Sequence, residues 1–432
     1  MQRGRHLLVG ALLILGYFAS LPAHIWLPAP EFIPPATLSP APSVGAQWSQ
    51  GAASDGDTAL VHAAAMTELD NGSFLAVWFA GSREGGKDVS INTAVFDPQA
   101  GTWSDERVAV TREQVIAGLG RYVRKLGNAV LSVEPDGRLR LFVVTVSFGG
   151  WGASRITVLE SDDNGDSWGD PRLLVTSPFL NISNLVKGTP VRFSDGSIGL
   201  PIYHEFLGKF GELLRVSEDN RVLGKDRIGF GRGAIQPVVV VEDARNAVAF
   251  MRNTRSDRSD GVWRSDTADA GAHWTPLIGT HEDNPGSAVG AVAVGPGHWL
   301  LVGNCNEFKR DELCLKETRD GGKTWQKTAT FHDRIALRTV EKTLPLFRQE
   351  IREEMLQTQG IDDPEKILKR VEHNKCDRGK CRFQYDYPYM IRARNGDIHI
   401  VYTWNKSVIR HLWWRADAAS HSASQGNTGD AQ

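Results

Sequence analysis

Six times along the chain, a short apolar run meets a turn rich in Asp, Asn and Gly and is answered by a second, more apolar run. The copies are Ala63–Ala80 around Asp70-Asn71-Gly72, Ala129–Val146 around Asp136-Gly137, and Pro190–Tyr203 around Asp195-Gly196. Three more follow: Pro237–Met251 around Asp243 to Asn246, Gly290–Val302 around Gly295-Pro296-Gly297, and Pro388–Tyr402 around Asn395-Gly396. Each predicts two antiparallel strands joined by a tight turn. Between His332 and Arg382 the pattern changes. Residues Arg338 to Gln357 and Pro364 to His373 are charged, with Leu, Ile, Met and Val at helical spacing, and predict a small helical insertion.

A second phrase recurs between the pairs. It reads Ser161-Asp162-Asp163-Asn164-Gly165-Asp166-Ser167-Trp168, returns from Thr267 to Trp274 with His273 in the hydroxyl position, and returns again from Thr318 to Trp325. A fainter copy ends at Gly101-Thr102-Trp103, and Ser217-Glu218-Asp219 is a worn one. Such a phrase closes a hairpin by itself: the Asp carboxylate accepts from N–H groups of its own turn, Gly supplies a positive φ, and Trp folds back as an apolar plug. Asp163, Asp219, Asp269 and Asp320 are 56, 50 and 51 residues apart. A period near 50 residues with strand pairs predicts an all-β six-bladed β-propeller, the helical insertion (332–382) lying between blades five and six.

Length then fits one closed array at 56–415 rather than several domains, because each blade buries its faces on its neighbours. The N-terminus (1–27) carries Arg3, Arg5 and His6 before an apolar run from Leu7 to Leu21, and predicts export by a signal peptide or an N-terminal membrane anchor. Residues 28–55 are a Pro-rich linker, and 416–432 an Ala/Ser/Gly/Asp tail expected to be disordered. A net charge of −2 gives no global field for nucleic acid. Cys305, Cys314, Cys376 and Cys381 allow nearest-neighbour disulfides or free buried thiols; no motif calls for a metal or a cofactor.

Propeller geometry places the chemistry. The Asp-containing hairpins share a face with the inner turns, so they are scaffold, and the residues entering each inner strand ring the opposite mouth. Those entries are His62, Asn128, Lys187, Gln236, Asn284 and Tyr387, all polar. The ends of the second strands add Arg83 and Glu84, Tyr203 and Glu205, and Arg252, with Arg310 just beyond. Converging Arg, His, Tyr and carboxylate groups make an active-site candidate.

At this point the phrases resemble those of a known family. The Asp-containing repeats look like the Asp-boxes of the sialidase superfamily, and the blocks Ala76 to Glu84, Lys187 to Pro190, Pro201 to Glu205, Met251 to Asn253 and Tyr387 to Tyr389 resemble its bacterial BNR-repeat-like branch of predicted exo-sialidases. The resemblance implies a substrate carboxylate held by arginines, here Arg252 and Arg310. It also implies a tyrosine nucleophile, here Tyr387, and an acid/base at Asp88 or Glu84. Two positions depart from it: His62 stands where an arginine is expected, and Gln236 where the glutamate behind the tyrosine is expected. The implied function is an exported glycosidase acting on a terminal acidic sugar of a glycan. The alternatives are a uronate-directed lyase with His62 and Tyr387 as base and acid, or a non-catalytic glycan-binding protein.

Overall fold

The computed structural model describes residues 10–12, 14–15, 30–35, 40–177, 180–332 and 342–416. Among the described residues six antiparallel sheets follow one another along the chain, each led by one of the six strand pairs, and a short three-stranded sheet lies in the insertion. The inner pairs are Leu60–Glu68 with Phe74–Gly81, Lys125–Val133 with Leu139–Val146, Ala234–Val241 with Ala247–Asn253, Gly290–Gly295 with His298–Asn304, and Tyr385–Arg392 with Ile398–Trp404. In blade three the inner strand is split into Leu185–Val186 and Val191–Arg192, both paired to Ile198–His204. This is the six-bladed, propeller-like all-β fold that the repeat predicts.

The ring closes through its two ends. Ser49–Ala52 pairs antiparallel with Val408–Trp414 and so supplies the outer strand of blade six. The inner strands of blades six and one also pack together, sealed by a buried aromatic stack. Phe96 of blade one meets His411 at 4.6 Å and Trp413 at 4.9 Å between ring centroids. His399 and His411 share a 3.0 Å hydrogen bond inside that stack. The assignment of 28–55 to a linker is therefore corrected at both described ends. Ser49–Ala52 is sheet, and Phe32 is buried, stacked on Phe193 at 4.9 Å with its N–H donating to the Ala244 carbonyl. Proline cannot join a ladder, but one Phe between prolines still finds an apolar slot. The expectations for the N-terminal run and the tail fall almost wholly outside the described residues. Among the described residues no helix is long and apolar enough to cross a membrane.

The Asp-containing hairpins join third and fourth strands as expected. In each, the carboxylate accepts from backbone and side chain four residues on: Ser167 N–H at 2.9 Å and Oγ at 2.6 Å for Asp163, Thr324 at 3.0 and 2.6 Å for Asp320. His273 performs the hydroxyl's part with Nδ1, 2.6 Å from Asp269. The insertion forms helices Leu344–Leu356 and Pro364–Lys375, which bury Phe347, Ile351 and Val371 against blade six. Glu354 reaches into that blade and accepts from the Tyr385 hydroxyl at 2.9 Å. Both nearest-neighbour cysteine pairs are bridged, Cys305–Cys314 and Cys376–Cys381. At the inner-turn end of the axis lies a cavity of about 530 Å³, walled mainly by apolar residues such as Met66, Leu131, Val240 and Met390. None of the predicted catalytic groups lines it.

Candidate active site

The mouth is built from bulges. In blades one, two, four and six the inner strand carries one extra residue at the same place: Ala63-Ala64 against Trp78, Gly127-Asn128 against Val144, Gln236-Pro237 against Met251, and Tyr387-Pro388 against Tyr402. A bulge bends its strand and re-aims a side chain. Ala63, Gln236 and Tyr387 take φ of 57°, 57° and 54° there. Non-glycine residues in this left-handed region cost of order 1–3 kcal/mol each and persist only where the surroundings enforce them. The proline after Gln236 and after Tyr387 fixes the exit of the bulge.

These bulges bring Gln236 and Tyr387 together across the axis. Gln236 Nε2 lies 2.9 Å from the Tyr387 hydroxyl and 3.3 Å from that of Tyr203. Arg252 NH1 lies 3.3 Å from Gln236 Oε1 and 3.5 Å from the Tyr387 oxygen. A guanidinium only donates, so Oε1 faces Arg252 and the amide N–H groups face the phenols. Both bonds to the Tyr387 oxygen are thus donated to it. Asn128 donates to the Tyr203 hydroxyl at 3.2 Å and to the Val186 carbonyl at 3.1 Å, bracing the second phenol. Burial, then the neighbouring Tyr387, push Tyr203 well above the ordinary phenol range, so it stays protonated.

His62 is buried, its ring centroid 4.3 Å from that of Tyr387. Its Nδ1 meets Thr403 Oγ1 at 3.1 Å and its Nε2 meets the Lys406 ammonium at 2.9 Å. An ammonium has no lone pair, so Nε2 accepts and the proton sits on Nδ1. Burial and Lys406 hold His62 well below the usual imidazole range. The residue standing in the arginine position is a neutral imidazole, its basic nitrogen already in use.

Sequence reasoning missed the anion at the centre. Asp386 is fully buried beside Tyr387, 2.7 Å from Arg310 and 3.3 Å from Lys406. Burial pushes its carboxyl up, but Lys406 and Arg310 outweigh it and hold it well below the usual range. Gln384 also donates to it at 2.5 Å. The insertion steadies this group, because Lys375 bonds Gln384 while Asn374 donates to the Lys406 carbonyl at 3.3 Å and to Ser407 Oγ at 3.0 Å. Arg310 was expected to face a substrate carboxylate. Its NH1 instead serves Asp386 and its NH2 the Gly286 carbonyl at 2.6 Å.

Arg258, likewise missed, stands near Arg252 and Arg310. Burial and the fields of both lower its pKa. Its NH1 is spent on the Asn253 carbonyl, and its guanidinium would be 2.9 Å from a Cβ at Gly286. Lys187 is buried on the axis, 3.3 Å from the Pro388 carbonyl and 4.7 Å above the Tyr389 ring, and burial pushes its amine down to about 7.

The remaining predicted residues divide. Glu84 approaches Lys406 at 3.9 Å, and Glu205 lies close enough to Tyr203 to raise it. Asp88 folds back on its own loop and accepts from the Ser82 N–H at 2.7 Å and hydroxyl at 2.8 Å. Arg83 is exposed on the same loop. Asn284 is corrected. It is fully buried, with Oδ1 accepting from Gly286 and Ser287 N–H and Nδ2 donating to the Ser287 carbonyl, so it shapes the turn that receives Arg310.

Arg252, Arg258, Arg310 and Lys406 therefore share one mouth with the carboxylates Asp386 and Glu84, around a phenol that receives two donors. This arrangement favours an anionic ligand. Comparison with solved structures finds the same fold. A Hadza microbial sialidase superposes with a TM-score of 0.58 at 14% identity, covering 83% of this chain, which spans 66% of that sialidase's length. A protein of unknown function from Dyadobacter fermentans gives 0.59 at 12% identity over 87% of this chain and 100% of that one. The intramolecular trans-sialidase from Ruminococcus gnavus gives 0.57 at 11% identity over 88% and 99%. A search of curated proteins finds no match. The BNR repeat-like domain, as a family, matches residues 72–400, and the chain belongs to that family.

Proposed function

We propose that the protein is an exported glycoside hydrolase of sialidase type that removes a terminal carboxylated sugar from a glycan. The observation that carries this reading is the meeting of Arg252 with Gln236 and Tyr387, the latter two at bulged, left-handed positions, beside Arg258 and Arg310. Arg252 and Arg258 would hold the sugar carboxylate, with Arg310 behind them fixed by Asp386. Tyr387 would meet the anomeric carbon from below. Glu84 or Asp88 would protonate the leaving oxygen, Glu84 standing 3.9 Å from Lys406 and Asp88 accepting twice from Ser82 on its own loop. Export is supported by the basic and apolar N-terminus and by two disulfides, which persist in oxidising compartments.

One observation favours a second reading, glycan binding without turnover. Gln236 is an amide and cannot take the Tyr387 proton. Incubation with terminally sialylated oligosaccharides separates the two. Release of a free acidic sugar that stops in Tyr387→Phe supports the hydrolase. Saturable binding with no product supports the binding reading, and an unsaturated product absorbing in the short ultraviolet would overturn both in favour of a lyase.

A further inference from the structure

Among the described residues, the aromatic side chains most open to water are confined to one face. Among the described residues Tyr122, Phe148, Phe206, Phe230 and Phe308 are the aromatics more than half exposed, at 56% to 74%, and Leu207 beside Phe206 is 71% exposed. Tyr122 lies on the approach to the inner strand of blade two. Phe148, Phe206 and Phe308 sit between second and third strands of blades two, three and five, and Phe230 in the link from blade three to four. Every one of these loops is on the mouth side. Apolar tips left in water in a cluster mark an interaction surface.

The tips form a continuous arc. Arg124 donates to the Gly149 carbonyl at 3.5 Å, a Cβ at Gly152 would lie 3.4 Å from Phe206, and one at Gly208 would lie 3.8 Å from Arg232. Arg255 then donates to the Arg232 carbonyl at 3.2 Å, and the Arg258, Gly286 and Arg310 contacts carry the arc to the Phe308 loop. Between the apolar tips stand exposed cations, Arg121, Arg124, Lys209, Arg232 and Lys309, with carboxylates that include Glu205, Asp257 and Glu307.

A glycan strand would need a track of rings with polar partners. These rings are mostly Phe, stand on loop tips, and spread over several blades around the mouth, so they share one face rather than line one groove. Apolar tips that enter an interface, alternating with cations that meet phosphates, suit a bilayer with anionic headgroups. We propose that the mouth face docks on an anionic lipid surface, with Phe148, Phe206, Leu207, Phe230 and Phe308 entering the headgroup layer and Arg121, Arg124, Lys209 and Arg232 pairing with phosphates. A mouth laid on a bilayer reaches what the headgroups present, so its substrates would be lipid-linked glycans; that last step alone rests on the function proposed above.

Hydrogen exchange of the full chain tests the docking without any glycan. The expected result with vesicles of mixed phosphatidylcholine and phosphatidylglycerol is protection of residues 148–153, 205–209, 229–233 and 306–309. Protection should fall with added salt and be absent with phosphatidylcholine alone. A Phe206→Ser/Phe230→Ser variant, with an unchanged melting temperature because both residues are exposed, should need at least about tenfold more lipid for the same protection. The proposal is overturned by protection confined to the N-terminal residues or by none. It also fails if a soluble acidic polysaccharide, or the protein's own concentration, protects the same loops without lipid. Turnover on soluble oligosaccharides is a separate readout, so the docking and the catalytic reading can fail independently.

Discussion

Gln236 Nε2 lies 2.9 Å from the Tyr387 hydroxyl and donates to it, because Arg252 fixes the other end of the amide. This orientation determines what the phenol can do. It is held in place and its oxygen is supplied with hydrogen bonds, while the residue behind it takes no proton.

Gln236→Glu should therefore raise turnover. A carboxylate there would keep the Arg252 contact and accept the phenol's proton, the arrangement expected of a tyrosine nucleophile. We expect kcat on a sialylated oligosaccharide to rise at least about tenfold. An unchanged or lower kcat in a folded variant would remove Tyr387 from the nucleophile's role.

Asp386 is the buried anion that Arg310 and Lys406 share, and neutralising it leaves two cations without their partner. Asp386→Ala should cost about 3–5 kcal/mol of stability, the usual penalty for breaking a buried pair from one side. Urea denaturation measures it, and a loss below about 1 kcal/mol would show that the cluster is solvated.

Acid should loosen the ring at its closure. His399 and His411 are buried where blades six and one meet, and burial pushes His399 down to about 3 and His411 well below the usual range. Above pH 6.5 neither state carries the proton. Below it the unfolded chain takes the proton and the folded one does not, so stability falls from pH 6.5 towards about 3. At pH 5 the loss is about 2 kcal/mol per histidine. Glu106, pushed up to about 7 by burial, works the other way over the same range. The contribution is therefore read as the difference in pH slope between the wild type and His399→Phe/His411→Leu. Equal slopes would contradict it.

The fold was legible because it is periodic. Asp163, Asp269 and Asp320 each build the same hairpin from short-range bonds, so their spacing gives the repeat and the six strand pairs count the blades. Tyr387, Gln236, Arg252 and His62 were legible for a related reason: a propeller sends every inner-strand entry and every second-strand end to one mouth. Asp386 and Lys406 were not. Asp386 sits in Tyr385-Asp386-Tyr387-Pro388-Tyr389, where strand alternation alone does not mark it as a buried charge. Lys406 comes from an ordinary-looking turn, Asn405-Lys406, whose φ values of 50° and 60° turn the chain sharply between blade six's second and third strands. Arg258 lies in a loop of Arg, Ser and Asp with no pattern to distinguish it. Asn284 misled because a polar entry position serves equally well as a turn cap. The strand Ser49–Ala52 was hidden because its partner, Val408–Trp414, lies at the far end of the sequence.

The central claim is that this mouth holds a carboxylated sugar through Arg252 and Arg258. Calorimetric titration of the protein with an unsaturated sialic acid analogue and with its methyl ester compares the same sugar with and without the charge. The account predicts that the acid binds at least about tenfold tighter than the ester and that the Arg252→Ala/Arg258→Ala double variant abolishes the difference. Equal affinities for acid and ester in the wild type would contradict it.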